Sequence, residues 1–270
     1  MYNHSFEINC TEGNVMRIAI IGCGVIGSAF AIHFAKKSSV IVCDKTLAKS
    51  SKLAQEIGGS ATDKPADAIQ NAELILLAIK PKDLQDFARE NSPLFKPSQI
   101  LVSALAGTPV ATLRDYFNKP HIIRCLPNLP MLSGEGVIGF VESDVSKETI
   151  NMLFHGLGLL MWLSEEKLEG LSALAGSGPA FIYVIIEAMI DSGVFLGFTP
   201  KESKELVLKT LEGSIKLLKE TGSSPAELKL KVASPGGTTI AGLKVLEEDG
   251  VRGTLMRTYQ ATLQKALEIQ

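Results

Sequence analysis

Three glycines at fixed spacing, Gly22, Gly24 and Gly27, have the clearest chemical potential in this chain. They follow a short apolar run typical of a buried strand and open an apolar helical stretch. At such a junction the first glycine permits a tight turn, the second lets a pyrophosphate approach the backbone, and the third allows close helix packing. The pattern predicts a dinucleotide on the helix N-terminus, with Val25 and Ile26 in the same site. The alternative is a glycine-rich turn without a ligand.

An acidic residue, Asp44, ends the next apolar run, 22 residues after Gly22. A carboxylate at this place accepts hydrogen bonds from the adenosine ribose, which favours NAD over NADP. Lys45 and Lys49 follow, however, and would meet a 2′-phosphate if the carboxylate turned away. The third interpretation is that Asp44 only caps the helix beginning near Leu47. The sequence therefore predicts NADP or NAD without choosing between them.

Further apolar runs at residues 74–79, 100–103 and 122–125 alternate with helical stretches. This alternation predicts βαβ units and a parallel sheet, with ligands at the carboxyl ends of the strands. Residues 136–141 and 160–163 predict two more strands at the sheet edge. The additional cofactor-binding residues predicted at the carboxyl ends are Ala78, Lys80, Pro81, Ala104 and Asn128.

The composition changes near residue 165, after which apolar residues recur only at helical spacing. The predicted fold class is α/β: an N-terminal Rossmann-type doubly wound parallel sheet followed by a C-terminal all-helical domain. The predicted segments are a disordered leader (1–15), the dinucleotide-binding domain (16–164) and a helical substrate and dimerisation domain (165–270). An apolar helix from about 179 to 195 is predicted to pack on a partner subunit, with burial inside its own chain as the alternative.

A second glycine cluster, Ser234-Pro235-Gly236-Gly237-Thr238-Thr239, precedes another helical stretch. Glycines and a proline before a helix expose consecutive backbone N–H groups, and two hydroxyls adjoin them. Such a concavity suits a carboxylate. An ordinary helix entry with hydroxyl caps is the alternative.

Composition excludes several function classes for this 270-residue chain. The net charge is −2 with both signs interspersed, which gives no electrostatic footprint for nucleic acid or an anionic membrane. The longest apolar runs fall short of the ~20 residues of a membrane span, and the first fifteen residues lack the apolar region of a secretory signal. Four cysteines without paired spacing predict no metal site and a reducing compartment, hence a cytoplasmic protein.

At this point the sequence resembles the pyrroline-5-carboxylate reductase family. The resemblance runs from Met16 to about Gln270, and the Ser234 to Thr239 loop is its most specific part. The other matching motifs are residues 22–27, Ala78-Ile79-Lys80-Pro81, Arg124 with Pro127-Asn128, residues 134–136 and residues 173–180. Four positions depart from the family's usual residues: Leu126, Leu129, Glu169 and Ala175.

The resemblance implies reduction of 1-pyrroline-5-carboxylate to L-proline, the last step of proline biosynthesis, by hydride transfer from NAD(P)H. It implies a homodimer or a higher oligomer of dimers, with the substrate site at the dimer interface. The substrate carboxylate would lie on Ser234, Gly236, Gly237 and Thr238. Thr239 matches the hydroxyl that approaches the ring nitrogen, and it is the predicted catalytic residue.

The residue content of the long helix agrees with imine chemistry. An imine nitrogen can take its proton from solution, whereas oxidation of a hydroxyl requires a base, and residues 181–184 offer no lysine for that role. The alternatives are another NAD(P)-dependent imine or hydroxy-acid reductase of the same architecture, or a non-catalytic dinucleotide-binding sensor.

Overall fold

The computed structural model describes residues 15–141 and 143–268. The leader predicted over residues 1–15 lies outside the described residues, apart from Val15. The strands are β1 (Arg17–Ile21), β2 (Ser39–Cys43), β3 (Ser60–Thr62), β4 (Leu74–Leu77), β5 (Ile100–Ser103), β6 (His121–Pro127), β7 (Gly136–Val141) and β8 (Gly158–Leu163). The helices are α1 (Val25–Phe34), α2 (Leu47–Ile57), α3 (Pro65–Ile69), α4 (Leu84–Asn91), α5 (Val110–Tyr116), α6 (Lys147–Phe154), α7 (Glu165–Leu171), α8 (Gly178–Phe195), α9 (Pro200–Thr221), α10 (Pro225–Val232), α11 (Thr238–Glu248) and α12 (Val251–Glu268).

The chain forms two compact units, which are described separately. The first comprises residues up to 176 together with the end of α12 from residue 263. It contains one sheet with the strand order β3-β2-β1-β4-β5-β6-β7-β8. Strands β1 to β6 pair in parallel, β7 is antiparallel to β6, and β8 is parallel to β7. The strand order reverses between β1 and β4, which is where ligands bind in doubly wound sheets.

Alternate residues of β1 enter separate cores on the two faces of the sheet. Ile18 and Ile20 join one cluster with residues of α1, α2 and α6, whereas Ala19 and Ile21 join another with residues of α3, α4 and α5. All four side chains are nearly or fully buried. This two-sided burial accounts for the continuous apolar sequence of β1 and fixes the position of the loop that follows it.

The second unit comprises residues 177–262, which form α8 to α11 and most of α12. Helix α9 begins with a capping box, in which the Thr199 side chain accepts the Glu202 N–H and the Glu202 carboxylate accepts the Thr199 N–H. Helix α8 has a different character, since Gly178 is its only residue buried within the chain. The apolar helix predicted from about residue 179 is present, with its apolar surface uncovered.

One helical run, Glu165–Phe195, reaches the length and composition of a membrane span. It has 31 residues and a mean hydropathy of 1.7 in its most apolar window, of which 11% is buried. The sequence predicted no stretch long enough to span a membrane, because each apolar run was considered separately. Here α7, a turn of π-helix (Ser172–Gly176) and α8 follow one another with only Ser177 between the turn and α8.

Three details differ from the predicted strands. The three-residue β3 and the short α3 were not predicted, because residues 60–62 contain no apolar run. Strand β4 ends at Leu77 rather than Ile79, since Lys80 already precedes a 3₁₀ turn at Pro81–Asp83. Strand β7 runs antiparallel to β6. Periodicity alone does not give strand direction.

Candidate active site

The three glycines of the β1–α1 loop are required for three different reasons. Gly22 has φ of +104°, and a Cβ there would lie 2.5 Å from the Ala78 carbonyl oxygen. A Cβ on Gly27 would collide with the Gly22 carbonyl oxygen. Gly24 is different, because a Cβ there would meet no atom of residues 15–141 or 143–268 within 4 Å, apart from its own chain neighbours. The described part of the chain does not exclude a side chain at Gly24, so the open space fits a group that approaches the backbone from outside, as a pyrophosphate does.

Helix α1 begins directly beyond this open position. Its first residue, Val25, is 62% exposed, and its N-cap residue Gly24 has no side chain with which to cap the helix. Ile26 is partly buried against the core, and Gly27 is buried. The start of α1 therefore presents backbone rather than side-chain polar groups, which suits an anion.

The Asp44 carboxylate holds two backbone segments together. Its Oδ2 accepts a hydrogen bond from the Cys23 N–H at 2.9 Å, and its Oδ1 accepts one from the Thr46 N–H at 2.9 Å. Each bond leaves further lone pairs on the oxygens. Asp44 thus fixes the glycine-rich loop and the entry to α2, and it remains partly exposed beside the loop.

A cleft of ≈ 500 Å³ opens along the carboxyl ends of β1, β2 and β4. Six of the predicted cofactor-binding residues line it: Gly22, Gly24, Asp44, Lys45, Ala78 and Lys80. Lys49 lines it as well, and Lys45 Nζ lies 3.9 Å from Asp83 Oδ2. The structure therefore brings the two predicted 2′-phosphate partners and the predicted ribose partner into one cleft.

The other predicted cofactor residues lie along the same edge of the sheet. Ala78 N–H donates to the Ile21 carbonyl, and Ala104 N–H donates to the Leu77 carbonyl, so these two residues continue β4 and β5 and connect the ends of β1, β4 and β5. Pro81 begins the 3₁₀ turn beyond Lys80. Pro81 and Ala104 do not line the cleft itself.

The side chain of Asn128, directly after β6, forms hydrogen bonds with backbone groups of the protein. Its Oδ1 accepts the Val137 N–H at 2.8 Å, and its Nδ2 donates to the Ala175 carbonyl at 2.9 Å. The side chain is 7% exposed. Asn128 therefore joins β6 and β7 to the π turn, and this connection between residues 47 positions apart has no signal in the sequence.

Arg124 forms a buried ion cluster that sequence analysis did not assign. The guanidinium donates to Glu165 at 3.0 Å and to Glu169 at 2.5 Å, and the arginine side chain is completely buried. Glu165 also accepts the Val110 N–H at 2.8 Å. Since Glu165 and Glu169 are four residues apart, they lie on one face of α7, and Arg124 holds that face against β6.

Cys23, between the first two glycines, has a half-buried thiol. Its Sγ lies 3.8 Å from the Cys43 carbonyl oxygen. Burial, followed by the nearby Asp44 charge, raises the pKa of the Cys23 thiol to about 11. The thiol is therefore protonated at neutral pH and is a weak nucleophile.

The predicted substrate loop lies in the second unit. Gly236 has φ of +69°, and the Gly237 N–H donates to the Ser234 carbonyl at 3.1 Å, which closes a tight turn. A Cβ on Gly237 would collide with the Ser234 Oγ. Helix α11 begins at Thr238, so both threonines belong to its first turn. Ser234 and Thr238 are exposed, and Thr239 is half-buried. The loop thus places three hydroxyl groups around the start of a helix.

Known proteins resemble both halves of the chain. The family model for pyrroline-5-carboxylate reductase dimerisation matches residues 165–269, and the model for NADP oxidoreductase, coenzyme F420-dependent, matches residues 17–107. The pyrroline-5-carboxylate reductase of Aquifex aeolicus is 37% identical over 262 residues, which covers 94% of this chain and 97% of that protein. The chain belongs to the pyrroline-5-carboxylate reductase family.

Solved members of the pyrroline-5-carboxylate reductase family share the fold. The enzyme from Streptococcus pyogenes superposes with a TM-score of 0.86 at 30% identity, covering 95% of this chain and 100% of that one. The Plasmodium falciparum enzyme, solved with NADP bound, gives a TM-score of 0.84 at 26% identity, covering 94% and 99%. The predicted fold class, a Rossmann-type sheet followed by a helical dimerisation domain, is confirmed.

Proposed function

We propose that this protein reduces 1-pyrroline-5-carboxylate to L-proline with NADPH or NADH, the last step of proline biosynthesis. The observation that carries the proposal is the 37% identity to the Aquifex aeolicus enzyme over nearly the whole of both chains. The open backbone at Gly24 and the hydroxyl-rich turn at residues 234–239 support it, since they supply a phosphate-binding loop and a carboxylate-binding loop.

The cofactor-binding residues are those at the carboxyl edge of the sheet. Gly22, Gly24, Val25, Ile26 and Gly27 form the loop and helix start that would hold the pyrophosphate. Lys45 and Lys49 would meet a 2′-phosphate. The remaining residues proposed at this edge are Asp44, Ala78, Lys80, Pro81, Ala104 and Asn128. When bound, the reduced nicotinamide supplies the hydride for the reaction.

The substrate-binding residues are those of the turn before α11. Ser234, Gly236, Gly237 and Thr238 would hold the substrate carboxylate through hydroxyl and backbone N–H donors. Thr239, one residue into the helix, would hydrogen-bond the ring nitrogen through its hydroxyl and stabilise that nitrogen as the amine forms. Orientation of both reactants lowers the barrier in such a site by several kcal/mol, on the order of 7–11 kcal/mol at best.

We place the substrate and dimerisation domain at residues 165–270 and the dinucleotide-binding domain at 16–164. The exposed apolar surface of α8 supports a homodimer, or a larger oligomer built from dimers, since Val184 is 64% exposed in the single chain. The free thiols of Cys23, Cys43 and Cys125 support a reducing, cytoplasmic location.

The activity is tested by following nicotinamide absorbance with 1-pyrroline-5-carboxylate and each reduced cofactor, and by identifying L-proline as the product. A panel of 2-hydroxy acids and other cyclic imines serves as the comparison. Highest kcat/KM for 1-pyrroline-5-carboxylate is the expected result. A higher kcat/KM for another imine or for a hydroxy acid would show that 1-pyrroline-5-carboxylate is not the preferred substrate. Cofactor binding without turnover of any compound would indicate a sensor.

The oligomeric state is tested by light scattering on Val184→Lys. We expect the wild-type protein to be at least dimeric and the variant to dissociate, because a charge would then lie in an apolar interface. Met152→Lys is the matched control, since Met152 on α6 is 57% exposed and lies outside the helical domain. Dissociation in both variants, or in neither, would contradict the proposed interface.

A further inference from the structure

The turn of π-helix at Ser172–Gly176 lies at the edge of the sheet where the cofactor cleft opens. Its Ala175 carbonyl accepts the hydrogen bond from Asn128 Nδ2, and Asn128 directly follows the carboxyl end of β6. Strand β6 is the third in the row β4-β5-β6, and Ala78, the residue directly after β4, lines the cleft. The turn is thus held at the same edge, on the side away from Asp44.

A dinucleotide on this fold has a defined direction along the edge. The pyrophosphate lies on the β1–α1 loop, and the adenosine lies towards the acidic residue after β2. The nicotinamide end must therefore extend the other way, along the ends of β4, β5 and β6. That direction leads to Asn128 and to the turn it holds.

Two separate attachments hold this turn in place. Arg124 binds Glu165 and Glu169 on α7, the helix that leads directly into the turn. Asn128 binds Ala175 within the turn. Arg124 and Asn128 are an even number of residues apart on β6 and its extension, so both point to the same face. The Arg124 side chain is fully buried and Asn128 is 93% buried, and burial of such polar groups costs free energy. This cost indicates a role beyond joining α7 and the turn to the sheet.

π-Helical turns are rare, and they occur frequently at functional sites because they displace backbone groups from the regular helical pattern. This turn combines a buried Ala173 with an exposed Leu174 and an exposed Gly176. Small residues and displaced backbone groups suit a planar carboxamide and its ring, which need close approach together with a donor and an acceptor.

We propose that Asn128 is a positioning residue: it holds the 172–176 turn at the carboxyl edge so that this turn contacts the nicotinamide end of the bound dinucleotide. This inference rests on the proposed function for the identity of the cofactor. In this arrangement the Asn128 side chain binds the turn, and the backbone of the turn contacts the cofactor.

The variant Asn128→Asp isolates this contact. A carboxylate still accepts the Val137 N–H, but it cannot donate to the Ala175 carbonyl. Asn151→Asp is the matched control, because Asn151 uses its Oδ1 to accept the Trp162 Nε1–H, which an aspartate also does. Binding is measured by calorimetry with NADP⁺ and with 2′-phospho-ADP-ribose, which lacks only the nicotinamide; NAD⁺ and ADP-ribose form the second pair.

We expect Asn128→Asp to weaken binding of the complete dinucleotide roughly tenfold, the effect of one lost polar contact, while the fragment binds within about twofold of wild type. We expect kcat to fall and Asn151→Asp to behave as wild type. Equal affinities of Asn128→Asp and Asn151→Asp for NADP⁺ would overturn the proposal. Equal weakening of dinucleotide and fragment would overturn it as well, since the whole edge would then be damaged.

Hydrogen–deuterium exchange on the wild-type protein tests the same contact without a variant. Both ligands should protect the amides of residues 22–27, and only the complete dinucleotide should protect residues 172–176. Protection of 172–176 by neither ligand, or equally by both, would refute the contact with nicotinamide. This measurement needs no turnover, so a failure of the proposed substrate leaves its result readable.

Discussion

The Asp44 carboxylate accepts a hydrogen bond from the backbone N–H of Cys23, 21 residues earlier in the chain, at 2.9 Å. The same carboxylate accepts the Thr46 N–H. One side chain therefore fixes the shape of the glycine-rich loop and also places a negative charge in the cleft that Lys45 and Lys49 line. The two roles have separate consequences for the cofactor.

Asp44→Ala should weaken both reduced cofactors and also change their ratio. Loss of two hydrogen bonds to a loop should lower the affinity for each cofactor about tenfold. Removal of the negative charge should then shift the ratio of kcat/KM values towards NADPH, because a carboxylate repels a 2′-phosphate. Asp63→Ala, which removes another carboxylate lining the cleft, is the control. A lower affinity with an unchanged ratio would leave Asp44 with the loop-holding role alone.

Gly24→Val should abolish dinucleotide binding in a folded protein. Because none of the described residues other than the chain neighbours lies within 4 Å of a Cβ at this position, the substitution fills the space proposed for the pyrophosphate. Gly24→Ala should give a smaller loss in the same direction. Calorimetry with NADP⁺ measures the affinity, and a thermal melt shows that the fold persists. Unchanged affinity in folded Gly24→Val would contradict the phosphate-binding role.

Thr239→Ala should slow turnover by roughly ten- to several-hundred-fold, which corresponds to a lost transition-state contact of about 1.5–3 kcal/mol. Thr239→Ser should retain most activity, and cofactor affinity should hardly change in either variant. Thr210→Ala, on α9, is the control for loss of a helical threonine. If Thr239→Ala lowered the melting temperature but turned over normally, Thr239 would have only a structural role.

Glu169→Ala should destabilise the fold more than Glu165→Ala. The Glu169 side chain is 5% exposed and that of Glu165 is 36% exposed, although both bind Arg124. Removing one partner of a buried pair costs about 3–5 kcal/mol, whereas replacing the whole pair by apolar residues is often neutral. Urea unfolding at fixed protein concentration measures both variants, and Arg124→Met with Glu169→Leu should recover most of the loss. Equal small effects from both single variants would contradict a buried pair.

The Cys23 thiol should react slowly with iodoacetamide at neutral pH. Burial raises its pKa to about 11, so the reactive thiolate forms only as the pH approaches that value. The alkylation rate, measured by mass spectrometry of the peptide containing Cys23, should rise about tenfold per pH unit from pH 7 until near 11. Rapid labelling with a plateau near pH 8.5 would show an ordinary exposed thiol.

The parts of the site that sequence analysis predicted depend on neighbours in the chain. In the sequence, β1 is followed directly by the three glycines and the start of α1. This local pattern was enough to predict the tight turn, the approach of a pyrophosphate to the backbone and the beginning of the helix. Asp44 was assigned to the ribose or to a helix cap. In the structure the Asp44 carboxylate accepts the Thr46 N–H and the Cys23 N–H, and Thr46 rather than Asp44 is the N-cap residue of α2.

The parts that were not predicted depend on contacts between distant residues. Arg124 and Glu169 are 45 residues apart, and Asn128 and Ala175 are 47 apart, so no local pattern connects them. The π turn was likewise missed, since its residues Ser172-Ala173-Leu174-Ala175-Gly176 have no periodicity that distinguishes it from an α-helical turn. The burial of Arg124 indicates its role in the ion cluster, but this burial is visible only in the folded structure.

If two copies pair through the uncovered apolar surface of α8, as proposed above, the stability of this protein depends on its concentration. Ile182, Tyr183 and Val184 are at least half exposed in the single chain, and in the proposed homodimer a second copy would cover them. Association favours the folded state by mass action, so the melting temperature should rise with protein concentration. At low expression, chaperones and proteases would bind the exposed surface of the unassembled chain. A lower concentration of the protein would therefore also shorten its lifetime.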